Sequence, residues 1–286
     1  MQNLLWGQSL CLVSFAQGMI LQLCSEHYGT NLPFFTVAIG YLLLLSLLVF
    51  KPVRENVSKQ TFWCLQLCGI LDACANALST LSHRYTSAGS VALLTSLDSI
   101  FSLLLSFIFL KQSFSIQQTC SIIFIILQTF TYILLDVNTQ TRLTVQNPVL
   151  GDLIALLAAL IYSVSSVLYQ KFAQRVKAYQ FAPVMSVGAF LLSFVLSCSI
   201  EIKLIIKLKV VEVVCLVVYG VGTMGFYIIA IKLIQKSNAV YYNVQLLLTN
   251  VYSFVGAVVI FKSAFDVNMF LVVAMIIAGV VVYQFA

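Results

Sequence analysis

The side chains able to do chemistry here are polar residues isolated in long apolar runs. Asp72 lies in one such run, with Asn76 four residues on and so on the same helical face. Asp98 lies in the next, flanked at helical spacing by Thr95, Ser102 and Ser106. A later run carries Asn243, Gln245, Thr249, Asn250 and Ser253, and another carries Tyr162, Ser163, Ser166 and Tyr169. A charge at the centre of a bilayer costs roughly 2.5–3.5 kcal/mol on insertion scales. No Lys or Arg stands mid-run to pair with either aspartate. Compensation must come from hydration, hydrogen bonding, protonation or a ligand. This chemistry is that of solute or proton binding. Metal or nucleophilic chemistry is not expected: His27 and His83 fall at run edges, and Cys64 and Cys68 lack a second ligand pair. The eight cysteines read as small buried apolar residues, and no cofactor or metal is expected. The candidate binding or coupling residues are Asp72, Asn76, Thr95, Asp98, Ser102, Tyr162, Ser166, Asn243 and Asn250. Each also has a plainer reading: Asn ties helices together, and Ser or Thr bonds its own backbone. Asp152 reads as a charge at a helix start.

The elements that position these residues are set by composition. Apolar residues make up 61% of the 286-residue chain and charged residues 8%, with a mean hydropathy of +1.03. Such a chain cannot cover a water-facing surface, so lipid is its solvent. A span needs roughly 20 apolar residues. Ten are read, at 4–24, 32–50, 62–82, 87–110, 117–135, 151–170, 181–200, 213–234, 239–260 and 267–285. Little is left for a soluble catalytic domain, and the stretch 136–150 reads as a connector. The first run has no basic leader and no convincing cleavage site, so it reads as a retained helix.

The chain repeats itself. Residues 86–118 align with 237–269 at a constant shift of 151: Ser87-Ala88 falls on Asn238-Ala239, Ser102 on Ser253, Lys111 on Lys262 and Phe114 on Phe265. Tyr132 falls on Tyr283 in the runs that follow. Ten helices then split into halves of five, 1–140 and 141–286. Because five is odd, the second half enters the membrane inverted, and a solute site is expected where the repeats meet. The expected fold class is an all-α membrane protein of ten helices in two inverted five-helix repeats.

The net charge of +6 is spread over helix ends and gives no nucleic-acid signal. With a cytosolic N-terminus, Lys51, Arg54, Lys59, Lys111, Lys171, Arg175, Lys177, Lys232 and Lys236 face the cytosol. Arg84, Arg142, Lys203, Lys207, Lys209 and Lys262 face the other side. The positive-inside rule then places both termini in the cytosol.

Several motifs in order resemble the F branch of solute carrier family 35, within the drug/metabolite transporter superfamily. They are Leu5-Trp6-Gly7-Gln8, Glu26-His27-Tyr28 with Pro33, and Gly69 through Asp72 to Asn76. Tyr85-Thr86-Ser87 with Ser90-Val91 and Leu93-Leu94, Gly151-Asp152, Tyr162-Ser163 and Tyr252-Ser253 complete the set. The chain departs from the family where acids are expected: Thr95 stands where an aspartate follows the two leucines, and Asn250 stands before Tyr252-Ser253. Tyr169-Gln170 replaces a glutamate pair. The resemblance implies the drug/metabolite transporter fold and a small organic metabolite as substrate.

The expected function is secondary transport by alternating access, not enzyme catalysis. Alternatives are a non-transporting membrane receptor or scaffold, and an intramembrane enzyme. Expected partners are a small organic substrate and the bilayer, with a coupling proton and a homodimer left open. The absence of a mid-span cation argues against a phosphate-rich ligand, although Arg84 or Lys232 can reach in from a helix end. Endomembrane and plasma membrane both stay open.

Overall fold

In lipid, backbone N–H and C=O groups must be bonded within the protein, which commits these apolar runs to helices. The computed structural model describes residues 2–28, 32–50, 57–83, 85–86, 88–124, 127, 147–260 and 267–285, and every regular element among them is helical. The elements are α1 (Gln2–Tyr28), α2 (Pro33–Ser46), α3 (Lys59–Ser82), α4 (Ala88–Thr95), α5 (Asp98–Leu110) and α6 (Pro148–Ala173). There follow α7 (Ala178–Ile200), α8 (Val210–Lys236), α9 (Ala239–Leu246), α10 (Leu248–Val259) and α11 (Val267–Phe285). A 3-10 turn, Leu47–Val49, ends α2, and a single helical turn, Ile202–Ile205, follows α7. Residues 116–124 are also helical. Within α1, residues Gln2–Leu21 are long and apolar enough to cross a membrane unaided, as are α3, α6, α7 and α8. The rest of the fifth expected span, most of the connector, Arg84 and Lys262 lie outside the described residues.

Two expectations need correction. The fourth and ninth spans, read as continuous over 87–110 and 239–260, are each broken. The first breaks at Ser96-Leu97, between α4 and α5, and the second at Leu247, between α9 and α10. The 151-residue shift carries Ala88–Thr95 onto 239–246, the bounds of α9. At both breaks the backbone tightens to three-residue hydrogen bonds: Leu97 N to Leu94 O, Ile100 N to Leu97 O, and Asn250 N to Leu247 O. Apolar periodicity is blind to such a break, because leucine fits either geometry. Asp152 is also not at a helix start. Asn147 and Pro148 begin α6, with Leu150 N donating to Asn147 Oδ1, and Asp152 accepts a hydrogen bond from Thr86 Oγ1 at 2.7 Å.

Two helices carry polar side chains on the buried face and large apolar ones on the exposed face. On α5, Ser99, Ser102 and Ser106 are buried, while Leu104, Phe107, Ile108 and Phe109 are exposed. On α8, Val211, Val214, Val218 and Val221 are exposed, while Thr223 and Tyr227 are buried. An apolar outside with polar side chains turned inward is the pattern lipid selects.

The chain forms two compact units that each draw on both sequence halves: Met1–Ala77 with Leu168–Asn238, and Leu78–Val167 with Ala239–Ala286. In the first unit α2 packs along α7 and α8, and α1 along α8. Glycine permits two close approaches. A Cβ on Gly69 of α3 would stand 2.1 Å from the Met185 carbonyl oxygen of α7. Gly220 of α8, which is Gly69 shifted by 151, meets Leu43 of α2 at 2.7 Å in the same sense. The Gln66 amide spans one turn of α7, donating to Val184 O and accepting from Gly188 N, each at 2.7 Å. Glu201, 1% exposed, caps α2 from a distance by accepting the Phe34 and Phe35 N–H groups at 3.1 and 2.8 Å. This satisfies two of the helix-start donors that would otherwise be stranded. In the second unit α9 packs on α5 and α10 on α11, around Ile122, Val240, Val244, Val272, Ile276 and Val280.

The glycine geometry makes a sharp prediction. Gly69→Val should destabilise the detergent-solubilised protein by about 1–3 kcal/mol or more, because backbone cannot move aside as a side chain can. Gly225→Ala, whose Cβ would meet nothing within 4 Å, should leave the melting temperature equal or higher. Thermal unfolding of the two variants side by side checks this.

Candidate functional site

The first unit centres on Asp72, which is 5% exposed. Its Oδ2 accepts hydrogen bonds from the hydroxyls of Tyr41 on α2 and Tyr227 on α8, and from Asn76 Nδ2 at 3.3 Å. Asn76 Nδ2 also donates to the Asp72 carbonyl at 2.9 Å and to Tyr41 Oη at 3.2 Å. The two tyrosine hydroxyls stand 3.0 Å apart, with ring centroids separated by 5.8 Å. Buried Tyr169, at the end of α6, faces the same carboxyl group. Each member is placed by helix geometry: Asn76 is one turn from Asp72, and the tyrosines reach in from α2 and α8, which pack on each other. The arrangement can hold a carboxylate, or a protonated carboxyl with one hydroxyl turned to accept.

A neutral version of this contact lies at the repeat-related position. Thr223 is Asp72 shifted by 151, and Tyr227 is Asn76 shifted likewise. Thr223 Oγ1 accepts from Gln17 Nε2 at 2.8 Å and bonds back to Tyr219 O at 3.1 Å. Asp98 maps onto Thr249 in the same way. Asp72 and Asp98 therefore both belong to the first sequence half, each with a threonine at the related position of the second.

The second unit holds the broken helices. Asp98 is the first residue of α5, where the helix dipole favours a carboxylate. Ser99 Oγ donates to its Oδ1 at 3.2 Å. The break thus supplies part of the compensation that a mid-span acid needs. On the facing helix, Asn243 Nδ2 donates to Ser102 Oγ at 2.9 Å and to Ser166 Oγ at 3.1 Å, joining α9, α5 and α6. Just past the second break, Thr249 Oγ1 is buried and unpartnered among the described residues.

The nine residues read from sequence fall into groups. Asp72 and Asn76 are joined in the first unit. Ser102, Ser166 and Asn243 are joined in the second, with Asp98 beside Ser99. Thr95 Oγ1 bonds its own backbone at Val91 O, 2.7 Å away. Tyr162 and Asn250 are half-buried. Tyr41 was missed because it stands alone among leucines. The repeat shift from Asn76 to Tyr227 was a signal for the other tyrosine.

A family model described as SLC35F, solute carrier family 35, matches residues 1–285. The chain belongs to solute carrier family 35. It is therefore a multi-pass membrane solute carrier and not an enzyme. This family member is 23% identical to solute carrier family 35 member F2 of Mus musculus, over 97% of this chain and 76% of the relative. It is 24% identical to member F2 of Xenopus tropicalis, over 99% and 78%. An uncharacterised family 35 member of Schizosaccharomyces pombe matches at 26%, over 87% of this chain and 53% of the relative. The chain thus spans about half the length of that yeast protein. A solved crystal structure shares the fold over 99% of this chain and 97% of the other, with a TM-score of 0.73 at 18% identity.

The Asn243 bridge should be measurable. A double-mutant cycle of Asn243→Ala with Ser102→Ala should give a coupling of about 0.5–2 kcal/mol in unfolding free energy. A coupling near zero would show that the three-helix bridge contributes nothing.

Proposed function

We propose that this carrier moves a small organic metabolite by alternating access between two inverted five-helix halves, residues 1–140 and 141–286. The observation that carries this reading is the pair of helix breaks at positions related by the 151-residue shift. Interrupted spans at corresponding places in two halves mark the solute site in transporters built from inverted repeats. Asp98, Ser102, Asn243 and Thr249 lie within a few residues of those breaks in sequence, Asn243 bridges Ser102 to Ser166, and the Thr249 hydroxyl is unpartnered among the described residues. With Asp98 beside the first break and no Lys or Arg mid-span in the sequence, a neutral or cationic solute suits the site. Asp72, with its tyrosine donors, is suited to carry a coupling proton. The distribution of basic residues supports a cytosolic position for both termini.

Uptake into proteoliposomes, across a panel of neutral, cationic and anionic metabolites, tests the function. Saturable uptake of a neutral or cationic solute is the expected result, and none across the panel would favour a receptor or scaffold. Asp72→Asn keeps the tyrosine contacts and removes the titratable group. It should express and insert normally while lowering uptake or flattening its pH dependence. Unchanged rate and pH profile would make Asp72 structural.

Orientation has its own check. Epitope tags at either end of the chain should be shielded from impermeant reagents in sealed cells with the carrier at the surface. Labelling of one or both ends from outside would contradict the cytosolic placement.

A further inference from the structure

At one end of the first unit, four cations converge on a cavity of about 840 Å³. Arg175 and Lys177 come from the turn between α6 and α7, and Lys232 and Lys236 from the last turns of α8. Trp6 of α1 lies under the two lysines of α8, whose ammonium groups stand 5.2 and 5.6 Å from its ring centroid. Gln235 fixes the floor, with Nε2 donating to Ala173 O at 2.6 Å and to Val176 O at 2.9 Å. Among the described residues no Asp or Glu lines the cavity. The contributing sequence stretches, 2–8, 171–180 and 231–238, contain none either.

Ordinary charge bias at a membrane face leaves lysines spread in water. Here the charges come from one helix and a separate turn onto one cavity with a tied floor. Lys232 and Lys236 sit four apart on one helix face, where like charges repel. Arg175 stacks 5.2 Å from the Phe172 ring and Lys177 5.8 Å from the Tyr179 ring. Aromatic faces relieve such repulsion weakly, and a multivalent anion relieves it directly. The cavity lies at the ends of α6, α7 and α8, helices long and apolar enough to cross a membrane, and tryptophan is favoured at such span ends.

We propose that this cavity is a binding site for a phosphate-bearing anion of the phosphoinositide type, distinct from the Asp72 and Asn243 clusters and independent of the solute carried. The anion is gripped by Lys232, Lys236, Arg175 and Lys177, and Trp6 forms one wall. The ligand arrives either as a lipid headgroup or as its free soluble counterpart.

Trp6 makes the test direct. The chain has two tryptophans, so Trp63→Phe leaves Trp6 as sole reporter, and Trp63 is an exposed position. The purified full chain in detergent micelles is titrated in two arms: a short-chain phosphatidylinositol phosphate against matched phosphatidylcholine, and the free inositol phosphate headgroup. A saturable change in Trp6 emission is expected in the phosphatidylinositol phosphate arm. Equal affinity for the free headgroup would identify a soluble anion as the source, and much weaker affinity would identify the lipid. Lys232→Ala with Lys236→Ala should weaken binding about thirtyfold, and Arg175→Ala, at an exposed position, about fivefold. No saturation in either arm, or undiminished affinity in Arg175→Ala and in the double variant, overturns the site. Uptake is not part of the readout, so failure here leaves the transport reading standing.

Discussion

A carboxylate in an apolar bundle must be given donors, and much of the first unit is arranged around that demand. Asp72 draws a tyrosine from α2 and another from α8, and an asparagine from its own next turn. Lipid offers no water to replace them, so loss of one donor is paid in full by the others. The same logic places Glu201 against the bare N-terminus of α2 and the Gln66 amide across a turn of α7. Polar side chains here substitute for solvent.

The second unit meets the demand differently. It breaks a helix, so that Asp98 sits at a fresh N-terminus and uses the dipole of α5. A break recurs at the repeat-related position, where threonine and asparagine replace the acid. Both sequence halves of this family 35 carrier have the backbone break, while the acid beside it is present in one and replaced by threonine in the other.

Helix positions were largely legible in the sequence because lipid imposes one long-range rule, apolarity over a span. That rule located the described helices to within a few residues, including α3, α7 and α11. It could not find the breaks at Ser96-Leu97 and Leu247, which are set by local backbone bonding rather than by hydropathy. Asp72 with Asn76 was legible from the four-residue spacing. Tyr41 was not, since its partner lies 31 residues away on another helix. Nor did sequence show that the compact units would interleave the halves, because packing partners such as Gly69 and Met185 carry no spacing signal.

The central claim is that a solute pathway meets the matched breaks. Accessibility of single cysteines in a background lacking the eight native ones tests it most directly. Cysteines at Thr95, Ser99, Leu246 and Asn250 should react with an impermeant thiol reagent from at least one side of the membrane. Those at Phe107 and Ile108, on the exposed apolar face of α5, should not. Breaks unreactive from both sides, or as unreactive as Phe107 and Ile108, would contradict the account.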